Sequence, residues 1–473
     1  MVKNMKNKDF PQKNSLHTLR VTDMNNLGAG VGRIDNIVTF VQGGCTGDLA
    51  EVKIIKSASA YLVARIERLI EPSPYRIASD CAQSKRCGGC VFRGITYEHE
   101  LELKRGFVES AMKKAGVEVS VGQVRSTGVI DGYRNKAQLP VGAVSFGKGE
   151  ATRTEAAVGF YAERTHEIIP LGEDTPCRLN PDVFSRIAAF VCDWMNRNNI
   201  RPYDEQKHTG TIRHLYLRRS ETTGEVMLCV VSRIRFERMD ELAGVIREAF
   251  PEVVSVWENI NPDRTNVVLG REYRLVSGKE RLTDKICGRT FEISPESFWQ
   301  VNRTAAELLY NTAAELAGVK SGERVLDLFC GIGTVGMSIC PADAELYGIE
   351  IVPRAVENAR RNAALNGFGR AVFSCCDASA PDAIGREIGR IAEGGLDLVI
   401  LDPPRKGCAP ELIDLLASSG CGRIVYISCN PDTLARDLAH FVRLGYAPGE
   451  VTPVDMFPRT GHVECVVLMS RAR

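Results

Sequence analysis

Three residues able to act in catalysis stand where apolar runs of this chain end. Cys429 lies in Ser428-Cys429-Asn430-Pro431, directly after Arg423-Ile424-Val425-Tyr426-Ile427. Glu464 closes Phe457-Pro458-Arg459-Thr460-Gly461-His462-Val463-Glu464, and Asp402 opens Asp402-Pro403-Pro404-Arg405 after a run ending at Leu401. Short apolar runs of this kind read as strands buried in a sheet, and residues just past the ends of parallel strands gather in one crevice. A thiolate nucleophile, a candidate base and an orienting acid in one crevice suit covalent catalysis. Read alone, Cys429 is a small buried side chain, as most cysteines are; the two acids at neighbouring strand ends favour chemistry. Cys465 is the rival thiol, but within Val463-Glu464-Cys465-Val466-Val467-Leu468 it points opposite Glu464.

A ligand crevice is written nearby. In Asp327-Leu328-Phe329-Cys330-Gly331-Ile332-Gly333-Thr334 a strand runs into a glycine turn and then a helix, and the next strand, Glu345-Leu346-Tyr347-Gly348-Ile349-Glu350, ends in an acid. Gly331 lets a ligand lie against the backbone, and Glu350 can accept both ribose hydroxyls. The third glycine of the dinucleotide fingerprint is missing, so there is no cradle for a second phosphate. S-adenosylmethionine therefore suits the crevice better than NAD. Asp377, in Cys375-Cys376-Asp377-Ala378, is placed for an adenine ring or equally for a helix cap.

The elements that must position these residues divide the 473-residue chain into three parts. Residues 1–72 alternate short β-branched runs with glycine, as in a small closed barrel of the oligonucleotide-binding kind, and Pro72-Ser73-Pro74 ends it as a linker. Lys53, Lys56, Arg65 and Arg68 could meet phosphates there. Residues 73–285 hold a helix over about 95–115, whose charges read as a solvated face, then an α+β region with helices near 181–198 and 239–250. Residues 286–473 alternate strands and helices as a doubly wound parallel sheet. The expected fold class is multidomain α/β.

Lys and Arg total 60 against 59 Asp and Glu, so bulk charge names no partner and any nucleic-acid surface must be local. No apolar run reaches the roughly 20 residues that span a bilayer, and the first residues lack the apolar centre of a secretion signal, so a cytoplasmic protein with no membrane partner is expected. Monomer is the default. The 16 cysteines should then be reduced thiols. Most, such as Cys45, Cys192, Cys229, Cys287, Cys340 and Cys421, read as core filler. Cys81, Cys87, Cys90 and the distant Cys177 are different: Gly88-Gly89 permits a tight turn, and four thiolates fit zinc or an iron–sulfur cluster, which spacing alone does not separate.

Asp402-Pro403-Pro404-Arg405, Ser428-Cys429-Asn430-Pro431, Phe457 to Glu464 and Ser297-Phe298-Trp299-Gln300-Val301-Asn302 together resemble the bacterial RNA uracil-5-methyltransferases, and the N-terminal barrel resembles the TRAM domain of the ribosomal RNA members. The resemblance implies Cys429 as nucleophile, Glu464 as base, Asp402 and Gln300 as site-lining residues, and Gln300, Phe329, Thr334, Glu350, Asp377 and Asp402 around the methyl donor. Thr334 and Asp377 stand where relatives commonly carry Asn. It also implies a [4Fe-4S] cluster on Cys81, Cys87, Cys90 and Cys177 in preference to zinc, and 23S ribosomal RNA in preference to transfer RNA, since the transfer RNA enzymes usually lack both barrel and cluster.

The chemistry requires such residues. Uracil C5 is too poor a nucleophile to take a methyl group until a thiolate adds at C6; a carboxylate must then remove the C5 proton so that the thiolate can leave. Asp402 could steady the uracil carbonyl edge, Arg405 or Arg459 could meet phosphate, and the target uridine should be flipped or unpaired. An exocyclic-amine methyltransferase would want an aromatic residue where Arg405 stands. A radical S-adenosylmethionine enzyme would want closer cysteine spacing, and an inactive RNA-binding protein would not need Cys429 with Glu464.

Overall fold

The computed structural model describes residues 10–146 and 153–471. Six strands build the N-terminal unit: β1 (Leu16–Arg20), β2 (Asp23–Met24), β3 (Gly30–Ile34), β4 (Ile37–Gln42), β5 (Leu49–Ser57) and β6 (Tyr61–Glu71). Their hydrogen-bonded order is β1-β5-β6-β4-β3-β2. β1 and β2 are neighbours in the chain yet sit at opposite ends of that ladder, so the sheet must curl into a barrel, filled by Leu19, Val41, Val52, Ile54 and Leu62. The proline segment after it is not a free linker. Buried Asp48 accepts from the Ser73 backbone N–H at 2.9 Å and from Arg76 Nε at 2.8 Å.

A short helix, α1 (Ser84–Cys87), and the long α2 (Tyr97–Ala115) follow. The middle unit is a sheet of β7 (Lys136–Phe146), β8 (Arg153–Tyr161), β9 (Ile168–Pro170), β10 (Ile212–Arg219), β11 (Val226–Ser232), β12 (Val253–Ile260) and β13 (Glu272–Gly278), in the order β13-β12-β11-β10-β7-β8-β9. Helices α3 (Asp182–Arg197) and α4 (Met239–Ala249) bury Phe184, Ile187, Val191, Leu242 and Ile246 against it. A hairpin, β14 (Leu282–Ile286) and β15 (Arg289–Ile293), leads into the C-terminal unit.

That unit holds α5 (Arg303–Ala317), β16 (Arg324–Leu328), α6 (Thr334–Ile339), β17 (Glu345–Glu350), α7 (Pro353–Leu365), β18 (Val372–Cys375), α8 (Pro381–Ala392), β19 (Leu398–Leu401), α9 (Pro410–Ser418), β20 (Arg423–Ser428), α10 (Pro431–Arg443), β21 (Tyr446–Pro448), β22 (Thr452–Val454) and β23 (Glu464–Arg471). The sheet order is β18-β17-β16-β19-β20-β23-β21, with β22 beside β23. Its first five strands are parallel and β23 is antiparallel. Chain order reverses between β16 and β19, which opens a crevice at their C-terminal ends.

Helices α5, α6 and α7 cover one face; α8, α9 and α10 cover the other. α2 joins that second face, where Val108, Ala111 and Met112 share a core with Leu434, Leu438 and Phe441. The expectation that the charges of α2 face solvent holds for Glu98, Glu102, Glu109, Lys113 and Lys114 and is corrected at two positions: Glu100 and Lys104 are 0% exposed. Sequence periodicity located the helix but not the acid and carbonyl groups, hundreds of residues away in the chain, that Lys104 meets.

Candidate active site

The crevice is built from strand ends. β20 and β23 run antiparallel with Ser428 opposite Cys465. Cys429 follows Ser428 and Glu464 precedes Cys465, so thiol and carboxylate come side by side. Asp402 follows β19, the parallel neighbour of β20. The loop after it is tied to α10: the Arg405 carbonyl accepts from Asn430 Nδ2 at 3.1 Å and Thr433 Oγ1 at 3.2 Å, and Arg436 Nη2 donates to the carbonyls of Lys406 and Cys408 at 2.9 and 3.0 Å. Cys465 is fully buried on the other face of β23, as its alternation predicts.

Burial dominates the electrostatics. It pushes the Cys429 thiol up to about 11, with Glu464 and Asp402 adding to the rise and Arg405 opposing it. Glu464, 8% exposed, is pushed up to about 8 by burial and by Asp402, again against Arg405. Asp402 rises to about 7 by burial alone. Cys429 and Glu464 thus both sit close enough to feel Asp402, in a place where water stabilises charge poorly.

Arg405 is exposed at the mouth of the crevice. Arg459 is not free for phosphate: it is 6% exposed, its Nη1 donates to the Ile95 carbonyl at 3.1 Å, and the same nitrogen lies 3.6 Å from Glu100 Oε2.

The ligand crevice lies beyond. Phe329, Glu350, Asp377 and Pro404 line one cavity of about 250 Å³, and Glu350 also lines a second, of about 450 Å³, with Gly331 and Phe298. Glu350 accepts from the backbone N–H groups of Gly331 and Val352 at 3.1 and 2.9 Å. Gly331 has φ +55°, and a Cβ there would project into open space rather than protein. Phe329, at φ +65°, holds a left-handed conformation that L-residues adopt at a cost, which turns the chain sharply at the tip of β16.

Asp377 spends one oxygen on a turn, accepting from Ser379 N–H at 2.8 Å and Ser379 Oγ at 2.7 Å. Gln300 bonds through its side chain to the buried Tyr310 hydroxyl, and Thr334 is the first residue of α6, 9% exposed. Asp327 was missed. It is fully buried, accepts from the Gly336 N–H of α6 at 2.9 Å, keeps its other oxygen unpartnered, and is pushed up to about 8 by burial. Its signal was available: an acid inside an apolar strand directly before a glycine turn. An open cavity, a glycine-backed wall and carboxylates at two strand ends fit an adenosine-bearing sulfonium.

Cys87, Cys90 and Cys177 line one cavity of about 360 Å³ with Arg134 and Lys136. Burial pushes Cys90 up to about 11 against a hydrogen bond from Arg93, whose Nη1 also reaches Asp80 at 2.7 Å. Cys81 precedes α1 and does not line that cavity. Among the described residues no three His, Cys, Asp or Glu side chains close on a point able to hold a metal ion. Three of the four thiols, of a type that ligates sulfur-bound groups, thus share one cavity, and Cys81 lies outside it. On the barrel, Arg65 and Arg68 remain exposed, each beside an acid, Glu67 and Glu51. Among the described residues no helix is long and apolar enough to cross a membrane.

Comparison with known proteins adds to this geometry. Residues 263–472 match the tRNA (uracil-5-)-methyltransferase family, and residues 13–66 match the TRAM domain. An uncharacterized RNA methyltransferase of Clostridium tetani is 37% identical over 468 residues, 98% of each chain. One of Oceanobacillus iheyensis is 35% identical over 466 residues, again 98% of each. The solved Pyrococcus abyssi tRNA (uracil-54, C5)-methyltransferase, in complex with S-adenosyl-L-homocysteine, is similar with a TM-score of 0.73 and 27% identity, over 95% of this chain and 100% of that one.

Proposed function

The chain belongs to the S-adenosylmethionine-dependent RNA (uracil-5-)-methyltransferase family, and we propose that it methylates C5 of a uridine through a covalent adduct on Cys429. The observation that carries this reading is the meeting of Cys429, Glu464 and Asp402 at adjoining strand ends. When bound, S-adenosylmethionine supplies an electrophilic methyl group. The Cys429 thiolate adds to C6, and the C5–C6 electron pair moves toward the C4 carbonyl. That enolate carries C5 into bond formation with the methyl group, whose bond to the donor sulfur would break so that the neutral thioether leaves. Glu464 then takes the C5 proton, the C5–C6 double bond reforms, and the C6–S bond breaks to restore the thiolate. Asp402, with its raised affinity for a proton, is suited to donate a hydrogen bond to a uracil carbonyl. Glu350, Gly331, Phe329 and Asp377 would hold the adenosine end of the donor, with Gln300 and Thr334 nearby.

The substrate reading is 23S ribosomal RNA, supported by the TRAM barrel together with the cysteine quartet. A second reading, transfer RNA, is favoured by one observation: the Pyrococcus abyssi enzyme acts on tRNA uracil-54 and matches nearly the whole of this chain, so a barrel does not by itself exclude that substrate. Cys81, Cys87, Cys90 and Cys177 would hold a [4Fe-4S] cluster that staples the segment before α2 to the middle sheet. Anaerobically purified protein should be brown and contain about four irons per chain; a colourless protein carrying zinc alone would replace the cluster with zinc.

The deciding experiment incubates the protein with S-adenosylmethionine and, separately, unmodified 23S ribosomal RNA and transfer RNA, then identifies the nucleosides by mass spectrometry. 5-Methyluridine is expected in the ribosomal RNA, and Cys429→Ala should abolish it. Methylation in transfer RNA alone would transfer the activity to the second substrate; full activity of Cys429→Ala would overturn the covalent route.

A further inference from the structure

The loop Asp455–Val463 leaves β22 and returns as β23, and its two ends are paired, Val454 opposite Glu464. Whatever fixes the start of the loop therefore fixes Glu464. Three side chains of α2 do this. Lys104 Nζ donates to Asp455 Oδ1 at 2.7 Å, to the Phe457 carbonyl at 3.1 Å and to Glu100 Oε1 at 2.7 Å. Glu100 Oε1 in turn accepts from the Arg459 backbone N–H at 2.7 Å. Tyr97, one turn earlier on α2, donates its hydroxyl to Asp455 Oδ2 at 2.7 Å.

The grip is directed at backbone as well as at charge. Phe457 offers its carbonyl and Arg459 its N–H, and Arg459 sits at φ +69°, a conformation that surroundings must hold in place. A buried ion pair is a weak source of stability compared with well-packed apolar side chains. Its use here matches a need for directional bonds to a loop that an apolar contact would leave free to slide.

We propose that Lys104 and Glu100 are positioning residues for Glu464: by gripping Asp455, Phe457 and Arg459 they place the carboxylate where it meets the C5 proton. The proposal rests on Glu464 being the base. Its signature is kinetic, because misplacing the base slows breakdown of the methylated adduct more than its formation.

The test uses full-length Lys104→Met and Lys104→Gln, S-adenosylmethionine with a labelled methyl group, and whichever unmodified transcript the wild-type protein methylates. Single-turnover samples are quenched in SDS, and labelled protein–RNA complex is counted against released 5-methyluridine. Lys104→Met should release product about tenfold or more slower, with complex accumulating, while complex forms at a much less altered rate. Lys104→Gln, which can still donate to Asp455 and the Phe457 carbonyl, should recover part of the release rate. Equal slowing of both steps, or no slowing, in protein that melts cooperatively would overturn the proposal; if Lys104→Met does not fold, the same ratio in Lys104→Gln decides. Glu464→Gln in the same assay separates the two ideas. Accumulation there but not in the Lys104 variants removes only the positioning role; no accumulation there removes the base itself, and the positioning role with it.

Discussion

Glu464 has conflicting demands at the level of the single residue. To act as a base it must lose its proton, yet burial beside Asp402 holds its carboxyl at about 8. Product release should therefore accelerate as pH rises through about 8, an inflection absent from Glu464→Gln. The same shift acts on stability. A carboxyl with a raised pKa in the folded state binds its proton more tightly there than in the unfolded chain. Its favourable contribution is complete below the ordinary carboxylate range and is lost as pH climbs through about 8. Glu464→Gln should melt above the wild type at pH 9, by on the order of 1 kcal/mol, and lose that advantage near pH 4, as thermal melts across pH would show. A higher wild-type melting point at pH 9 would contradict the burial argument. Arg405 lowers the pKa of Glu464 and Cys429 alike and so opposes the rise that burial imposes on both.

At the scale of elements, legibility followed the range of the interaction. β19 and β20 were readable because both faces of each are buried, so each is a continuous apolar run; β16 and β17 were readable from shorter apolar stretches that lead into a glycine turn and into Glu350. The barrel strands were readable from turns and β-branched alternation, although the two-residue β2 carries no pattern of its own. α2 shows the limit. Helical spacing revealed an apolar face through Leu103, Val108 and Met112, but Glu100 and Lys104 read as solvent charges because their partners lie on a loop that the local sequence does not mention. Arg459 failed likewise: a few residues before Glu464 it resembled a phosphate ligand, whereas its neighbour in space is Glu100. Of the four thiols grouped from the sequence, Cys87, Cys90 and Cys177 share a cavity, whereas Cys81, placed in the group by type and spacing, lies outside it.

Across the whole molecule, the three units meet at the loop Asp455–Val463. Gly461 lies against the barrel, where an added Cβ would run into the Asn26 carbonyl oxygen, and Gly28 of the same barrel loop packs on Val91 of the cysteine-bearing segment. Met24 and Cys45 of the barrel share a small core with Phe92, Ile95 and Leu103. The barrel is thus part of the frame around the site as well as a candidate RNA surface. Gly461→Ala should reduce kcat roughly tenfold or more, since small displacements of a catalytic group carry penalties of that size. S-adenosylmethionine affinity should stay near the wild-type value because the cavity of Phe329, Glu350 and Asp377 lies elsewhere. Steady-state kinetics with isothermal calorimetry would check both halves, and unchanged kcat would show that the barrel contact does not bear on Glu464.

The bond from Lys104 to Asp455 joins positions 351 residues apart. A ribosome adding about 5–20 residues per second needs roughly 20–70 s to travel that distance. For all of that interval α2 exists without the loop and without β23, its ammonium and carboxylate exposed to water, and for most of it the apolar stripe also lacks α10. Glu464 cannot join Cys429 and Asp402 until β23 leaves the exit tunnel, and a chain cut short before α10 should carry an uncovered helix near its N-terminal third, a natural handle for chaperones and proteases that survey unfinished protein.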